Sequence, residues 1–146
     1  MRHLFLDCST RSGGESGGGP LEAGGQGNAN GQVSIFERTA SGNAKPLRVL
    51  NGPHSRIGRT GLITVYPPTK TILVGLPSNE KASPNNFVGV WKESDDGDVP
   101  PRWMIGGPNQ ALQQVRGITV VPKEKTVVVS DKYVNAVLTY YFPAIF

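Results

Sequence analysis

Few residues of this sequence combine the side-chain types and the spacing that chemistry requires. The two histidines, His3 and His54, lie in different contexts with no matching carboxylates or cysteines beside them. They do not predict a metal site, because zinc takes three or four such ligands at short spacing. The only cysteine, Cys8, cannot form an internal disulfide, and its apolar surroundings favour a buried thiol.

Acidic and hydroxyl residues give no catalytic pattern either. The turn Asp95-Asp96-Gly97-Asp98 resembles a calcium loop but lacks the spacing and the closing glutamate of an EF-hand, so we interpret it as a solvated turn. Ser9, Thr10 and Ser12 lie near Asp7, but no placed histidine completes a triad. We therefore predict no catalytic, cofactor-binding or metal-binding residues, and a protein that is not an enzyme.

Composition indicates one all-β domain. The chain has 146 residues, of which 37% are hydrophobic, and its 19 Gly and 12 Pro punctuate many short β-rich runs. The net charge of +4 comes from scattered Lys and Arg without a block of like charge, which does not indicate a nucleic-acid partner. No run approaches the roughly 18 apolar residues of a membrane span. The apolar start is too short for an export signal and is interrupted by Asp7.

The elements that organise this chain are strands repeated at an offset of 55 residues. Residues 62–76 and 117–131 each read as strand, tight turn, strand, and they align without a gap. At the same offset, Pro46 aligns with Pro101 and Gly52 aligns with Gly107. A repeat of this kind predicts one structural unit built several times.

Each unit is predicted to contain four strands, named a to d. The predicted units span residues 3–53, 62–108 and 117–146. The predicted strands are 3–8 (b), 33–37 (c) and 47–51 (d) in the first unit, 62–66, 71–76, 88–92 and 102–106 (a to d) in the second, and 117–121, 126–131 and 137–142 (a to c) in the third. Residues 9–31 hold nine Gly in 23 positions, and we predict a mobile loop there.

The stretch Gly42-Asn43-Ala44-Lys45-Pro46-Leu47-Arg48-Val49-Leu50-Asn51-Gly52-Pro53 resembles the blade motif of bacterial NHL-like six-bladed propeller proteins. Gly117-Ile118-Thr119-Val120 and Val127-Val128-Val129-Ser130-Asp131 match the two strands that follow in that family. The resemblance covers about residues 3–146 apart from the Gly-rich loop. It implies β-propeller blades of four antiparallel strands, in an incomplete ring of about two and a half blades. Tyr66-Pro67 and Val121-Pro122 depart from the family's Asp or Asn after strand a.

An incomplete propeller leaves blade faces uncovered. A blade buries both faces, as the apolar runs Ile72-Leu73-Val74 and Val127-Val128-Val129 indicate, and Trp91, which replaces Phe36, is predicted to pack between blades. The first and last blades would expose apolar faces and open strand edges. We expect other copies or other protein chains to complete or cap them. The alternative is a wrong start codon or a C-terminal part of a longer propeller, because the sequence starts at strand b and ends after strand c.

Four residues on or beside the later strands are the candidates for partner contacts. Trp103 replaces Arg48 of the preceding unit, a position that we predict to lie nearer the outer edge of the blade. Together with Arg102 and Tyr140 these two residues form the predicted contact set, because aromatic and arginine side chains dominate protein interfaces.

The function predicted from these observations is a non-enzymatic protein-interaction or scaffold module. One alternative is a fragment of a metal-dependent, lactonase-like propeller hydrolase. Relatives of that kind hold a metal in the channel with Glu, Asn and Asp, whereas Leu62, Ile63, Gly117 and Ile118 stand at the start of the a strands here. The other alternative is an RNA-binding NHL surface, which requires a clustered basic face. Relatives are often extracytoplasmic, but the sequence itself predicts no compartment.

Overall fold

A computed structural model describes residues 5–10 by their backbone and residues 31–58, 62–77, 86–106 and 112–146 in full. These residues form an all-β structure of ten strands and three short 3₁₀ turns. No helix within these ranges is long and apolar enough to cross a membrane. His3 and the side chain of Cys8 lie outside the described part, and so does the buried thiol predicted at Cys8.

The strands follow the predicted boundaries to within two residues. They are β1 (Phe5–Thr10), β2 (Gly31–Phe36), β3 (Arg48–Asn51), β4 (Leu62–Tyr66), β5 (Thr71–Leu76), β6 (Phe87–Lys92), β7 (Trp103–Gly106), β8 (Val115–Val121), β9 (Thr126–Asp131) and β10 (Ala136–Tyr141). The predicted loop 9–31 is shorter at both ends, because Ser9 and Thr10 belong to β1 and Gly31 begins β2. The mobility predicted for the rest of that loop falls on residues 11–30, outside the described part.

The strands form three antiparallel sheets, each with the topology of a propeller blade. Sheet A has the order β1-β2-β3, sheet B the order β4-β5-β6-β7, and sheet C the order β8-β9-β10. Sheet B therefore contains all four predicted strands, whereas among the described residues sheet A lacks strand a and sheet C lacks strand d. None of the three sheets closes into a barrel, and the architecture is an open array of blades.

Two hydrophobic cores lie between the three sheets, one at each interface. The core between sheets A and B contains Val33, Ile35, Leu50, Ile57, Ile72, Val74, Leu76, Phe87 and Trp91. The core between sheets B and C contains Leu73, Val88, Val90, Ile105, Leu112, Val115, Val127, Val129 and Ile145. Strand β5 supplies alternate residues to the two cores, which explains why its sequence is apolar without alternation. The predicted packing of Trp91 between blades is confirmed, because its side chain is fully buried in the first core.

The turn between strands a and b is built in the same way in sheets B and C. In each, a proline begins a 3₁₀ turn, Pro67–Thr69 or Pro122–Glu124, and a lysine with positive φ ends it. Lys70 and Lys125 have φ of 52° and 53°, and their N–H groups donate to the carbonyls of Pro67 and Pro122. The equivalence of these turns shows that the 55-residue repeat is a structural repeat.

The C-terminal residues fasten sheet C to sheet B. Ile145 is fully buried in the core between the two sheets, and its carbonyl accepts a hydrogen bond of 2.6 Å from the Thr69 hydroxyl. The ring of Phe146 meets the ring of Tyr66 edge to face, with centroids 5.0 Å apart. These contacts join the last strand of sheet C to the a–b turn of sheet B.

Candidate interaction surface

The outer face of sheet C is the candidate interaction surface. Residues of β10 alternate between half-buried and exposed, and the exposed set is Val137, Thr139 and Tyr141. The register pairs these three with Ser130, Val128 and Thr126 of β9, so all six side chains lie on one face. On β8 the partners of the same β9 residues are Gly117, Thr119 and Val121. Together these nine residues, in three rows of three, make the outer face.

Two large apolar side chains of this face project into solvent. Val137 is 68% exposed and Tyr141 is 71% exposed, the two highest exposures among the large hydrophobic residues described. Val121 and Val128 are half-buried on the same face. The opposite face of sheet C carries Val127 and Val129 into the core with sheet B. Sheet C therefore carries apolar side chains on both faces, and one of these faces is uncovered by the described residues.

Strand β10 also forms an open edge. In sheet B, the c strand β6 pairs on one side with β5 and on the other with the d strand β7. In sheet C, the c strand β10 pairs with β9 alone among the described strands. Its outward N–H and C=O groups are those that a fourth strand would engage, and an open edge of this kind can accept a strand from another chain.

The four predicted contact residues lie away from this face. Trp103 is half-buried between sheets B and C, and its ring meets that of Phe142 edge to face at a centroid distance of 6.1 Å. Arg102 donates from Nε and Nη2 to the two carboxylate oxygens of Asp95, at 3.0 and 2.6 Å. That bidentate hydrogen bond from Arg102 lowers the pKa of Asp95, against a smaller opposing effect of its burial.

Tyr140 and Arg48 are half-buried in different sheets. Tyr140 packs against the core between sheets B and C, and its buried hydroxyl has no hydrogen-bond partner among the described residues. Burial first, and the negative charge of Asp131 second, raise the pKa of this phenol. Arg48 lies on β3 opposite Ile35 of β2, and no ion pair is found for it in the described ranges. The structure places Trp103 and Tyr140 at one sheet interface and Arg48 in another sheet.

The residue that sequence reasoning missed is Tyr141, the neighbour of Tyr140. Both are aromatic, and both positions of the alternation in β10 carry apolar residues, so period-two patterning does not decide which side faces the core. Comparison of the repeated units could have drawn attention to Tyr141, because an aromatic residue stands there in place of a lysine. Lys92 is the counterpart of Tyr141, because Thr71 pairs with Lys92 as Thr126 pairs with Tyr141.

The acidic turn at residues 94–98 connects sheet B to sheet A. Asp96 Oδ1 accepts the Val49 N–H at 2.8 Å, and Gly97 exchanges backbone hydrogen bonds with Val49 and Asn51 of β3. Asp98 Oδ1 accepts the Ser55 N–H at 2.9 Å. Asp96 and Asp98 are exposed, as a solvated turn requires, but their carboxylates also hold the preceding sheet. We name residues 94–98 the clasp turn.

His54 and Ser55 belong to the same junction. His54 Nδ1 lies 2.6 Å from Asp98 Oδ2, with the imidazole largely exposed. Partial desolvation would raise the pKa of Asp98, but the hydrogen bonds from His54 and from the Ser55 N–H outweigh it and lower that pKa. The Ser55 hydroxyl donates to the Gly52 carbonyl and accepts the Ile57 N–H, so it supports the backbone of this loop. The arrangement is a structural junction between two sheets.

Asp131, the last residue of β9, organises one end of sheet C. Its Oδ2 accepts the N–H groups of Gln113 and Gln114 at 2.6 and 2.7 Å, and its Oδ1 accepts those of Tyr133 and Val134 at 2.9 and 3.2 Å. Desolvation opposes ionisation of this carboxyl, but the four hydrogen bonds prevail and lower its pKa. The residue joins the loop before β8 to the turn before β10.

The described residues contain no group of three or more His, Cys, Asp or Glu that could hold a metal ion. Compared with known proteins, the chain matches no protein-family model, no curated protein and no solved structure.

Proposed function

We propose that this chain is a non-enzymatic protein-interaction module of propeller blades, related to the NHL-like propellers, that acts by association with other protein chains. The observation that carries the proposal is the outer face of sheet C, where Val137 and Tyr141 stand exposed beside the open edge of β10. An exposed apolar sheet face with an unpaired edge is a surface that proteins otherwise cover.

The charged and polar groups of the described part support a structural role for the rest of the molecule. Asp95, Asp98 and Asp131 each bind groups of the chain itself. Their carboxylates hold turns and sheets in place, so they build the scaffold that presents the apolar face. A rigid scaffold of this kind suits a binding module, because less ordering free energy opposes association.

A photo-crosslinking amino acid at position 141 tests the proposal in cells that express the chain. We expect a discrete adduct to form from this position, because the side chain of Tyr141 would lie inside the interface. The matched control is the same amino acid in place of Leu47, which is 50% exposed and lies outside sheet C. Equal labelling at both positions, or no adduct at position 141, would contradict the proposed function.

A further inference from the structure

We propose that the open edge of β10 binds an extended strand of a different protein chain, which becomes the fourth strand of sheet C. This inference rests on the proposed function and names the kind of segment that the partner supplies. The evidence comes from sheets A and B, because in both of them the c strand is paired on this edge with a d strand.

The backbone groups of three residues of β10 face the open edge. The Phe142 N–H donates to the Lys125 carbonyl, and this pair continues the register of β9 and β10. Hydrogen-bonded pairs alternate along an antiparallel ladder, so Tyr140 and Leu138 also bond to β9. The backbone N–H and C=O groups of the alternate residues therefore face away from β9, and these residues are Val137, Thr139 and Tyr141.

The equivalent groups of sheets A and B bind a d strand. Thr139 has two counterparts, Ile35 in β2 and Val90 in β6, as the repeat and the strand registers show. Their carbonyls accept the N–H groups of Leu47 and Arg102 at 2.7 and 2.8 Å. Each of these donors directly precedes a d strand, β3 or β7. The same edge is therefore occupied in the same way in two of the three sheets.

A valine of each c strand shows which side chain the fourth strand contributes. Val33 lies opposite Leu50 of β3, and Val88 lies opposite Ile105 of β7. Both valines are fully buried between this cross-strand neighbour and the next sheet. Val137 holds the same position of β10 and is 68% exposed, and no described strand lies beside it on the edge side. An aliphatic residue opposite Val137 restores the cross-strand pair, which defines the chemistry of the incoming strand.

Strand β10 lacks the features that protect strand edges from pairing. Its sequence, Ala136–Tyr141, contains no charged residue, no proline and no glycine. The other three-stranded sheet, A, presents the edge of β1, which contains the charged residue Asp7. Sheet B, with all four strands, ends at β4 and β7, so an unpaired c strand is what distinguishes sheet C among the described sheets.

The partner is a different chain, because a second copy has no spare d strand in its described residues. β3 is held on both sides, since it pairs with β2 and its residues Val49 and Asn51 bond to Gly97 of the clasp turn. β7 pairs with β6, and its residue Ile105 is buried in the core between sheets B and C. Releasing either strand opens a core. A free extended segment of another protein has only its own ordering to offset, and main-chain hydrogen bonds supply affinity.

A peptide based on the d strand of sheet B is the probe. It comprises residues 101–107 with Arg102 replaced by Ser, because Asp95 of the clasp turn is the partner of Arg102 in sheet B. Capped ends and a neutral fluorophore leave it uncharged. Fluorescence anisotropy with the purified full chain at concentrations up to about 1 mM measures its binding. Thr139→Pro removes an N–H at the open edge but none that bonds to β9, and it should weaken binding by about tenfold.

Two N-methylated forms of this peptide are a matched pair that requires no protein variant. In sheet A, the N–H of Val49, the counterpart of Met104, points away from β2 and donates to Asp96. The N–H of the following residue, Ile105, therefore points toward the c strand. N-methylation at Ile105 should weaken binding by about tenfold, whereas N-methylation at Met104 should leave the affinity unchanged.

The outcomes separate this inference from the proposed function. No binding of the peptide at the highest concentration, equal affinities of the two N-methylated peptides, or full binding to a folded Thr139→Pro chain overturns the strand inference. In cells, Thr139→Pro should abolish the adduct formed from position 141. An adduct that persists in this variant overturns the pairing with β10 and leaves the proposed function standing. If circular dichroism shows that Thr139→Pro is unfolded, the two N-methylated peptides decide.

Discussion

At the scale of single residues, Asp131 shows how one carboxylate holds two loops. It accepts four backbone N–H groups, two from the loop before β8 and two from the turn before β10. Only a carboxylate side chain offers two oxygens that can accept hydrogen bonds from two directions at once. The residue is buried, so water replaces these bonds poorly when the carboxylate is lost.

Asp131→Asn is expected to lower the free energy of unfolding by about 2 kcal/mol at pH 7, because the amide nitrogen cannot accept two of the four hydrogen bonds. The pKa of Asp131 is lowered from its usual value of 3.8 by folding. Its contribution to stability is therefore complete above about pH 5 and is lost as pH falls through the folded pKa.

Urea unfolding of wild type and Asp131→Asn, followed from pH 7 to pH 2, measures this contribution. The difference between the two proteins should be constant from pH 7 to about pH 5 and should shrink below about pH 4. Asp96→Asn serves as a control, because Asp96 is exposed and accepts a single backbone N–H in the described contacts. A difference that stays constant down to pH 2 would show that folding does not lower the pKa of Asp131, and would contradict the prediction.

At the scale of elements, the clasp turn depends on a glycine of the preceding unit. Gly52 has a φ of +116°, and a Cβ at this position would lie 2.4 Å from Asp98 Cγ. Gly52→Ala should therefore disturb both the loop after β3 and the hydrogen bonds of Asp98. We expect the substitution to lower the free energy of unfolding by about 3 kcal/mol.

Gly42→Ala is the matched control for backbone strain alone. Gly42 has a φ of +61° in an exposed turn, and a Cβ added there would have no other atom within 4 Å. The substitution should lower the free energy of unfolding by about 1 kcal/mol, the usual cost of an alanine in the left-handed region. Gly52 lies further from the allowed left-handed region than Gly42 does, so denaturant unfolding should show a larger loss for Gly52→Ala, from backbone strain and the contact with Asp98 together. Equal losses at Gly52 and Gly42 would show that the contact with Asp98 contributes nothing.

The strands themselves could be predicted because their signals are local and repeated. β5 and β9 have the predicted boundaries, and β8 begins earlier than predicted because a bulge between Val115 and Gly117 extends its pairing with β9. The solvated turn at residues 94–98 could be predicted, but its contact with sheet A could not, since Asp96 reaches a backbone N–H that is 47 residues away in sequence. The sequence also did not predict which tyrosine of β10 faces outward, because a register change of one residue exchanges the two faces of a strand.

At the scale of the whole molecule, sheet B contributes side chains to both hydrophobic cores. Ile72 and Leu73 are adjacent on β5, yet the first is buried against sheet A and the second against sheet C. A loss of packing on one side must therefore disturb strands that support the other side. Stacked repeats of this kind are coupled through their nearest-neighbour interfaces.

The two tryptophans report on these cores separately. Trp91 lies in the core between sheets A and B, and Trp103 packs against the core between sheets B and C. Trp91→Phe and Trp103→Phe each leave a single reporter, and Phe36 already occupies the counterpart of Trp91 in sheet A. In either background, Leu73→Ala should lower the free energy of unfolding by about 3 kcal/mol, because it empties a fully buried site.

We expect Leu73→Ala to shift the urea midpoint of both fluorescence reporters by the same amount, although Leu73 packs only on the side of Trp103. The reason is that β5 and β6 carry the two cores on opposite faces of one hydrogen-bonded sheet, so that neither core persists without it. Ile72→Ala is the matched substitution on the other face and should shift both reporters as well. A midpoint that moves for Trp103 alone would show that sheet C separates while sheets A and B remain folded, and the apolar face of sheet C would then belong to a unit that can detach.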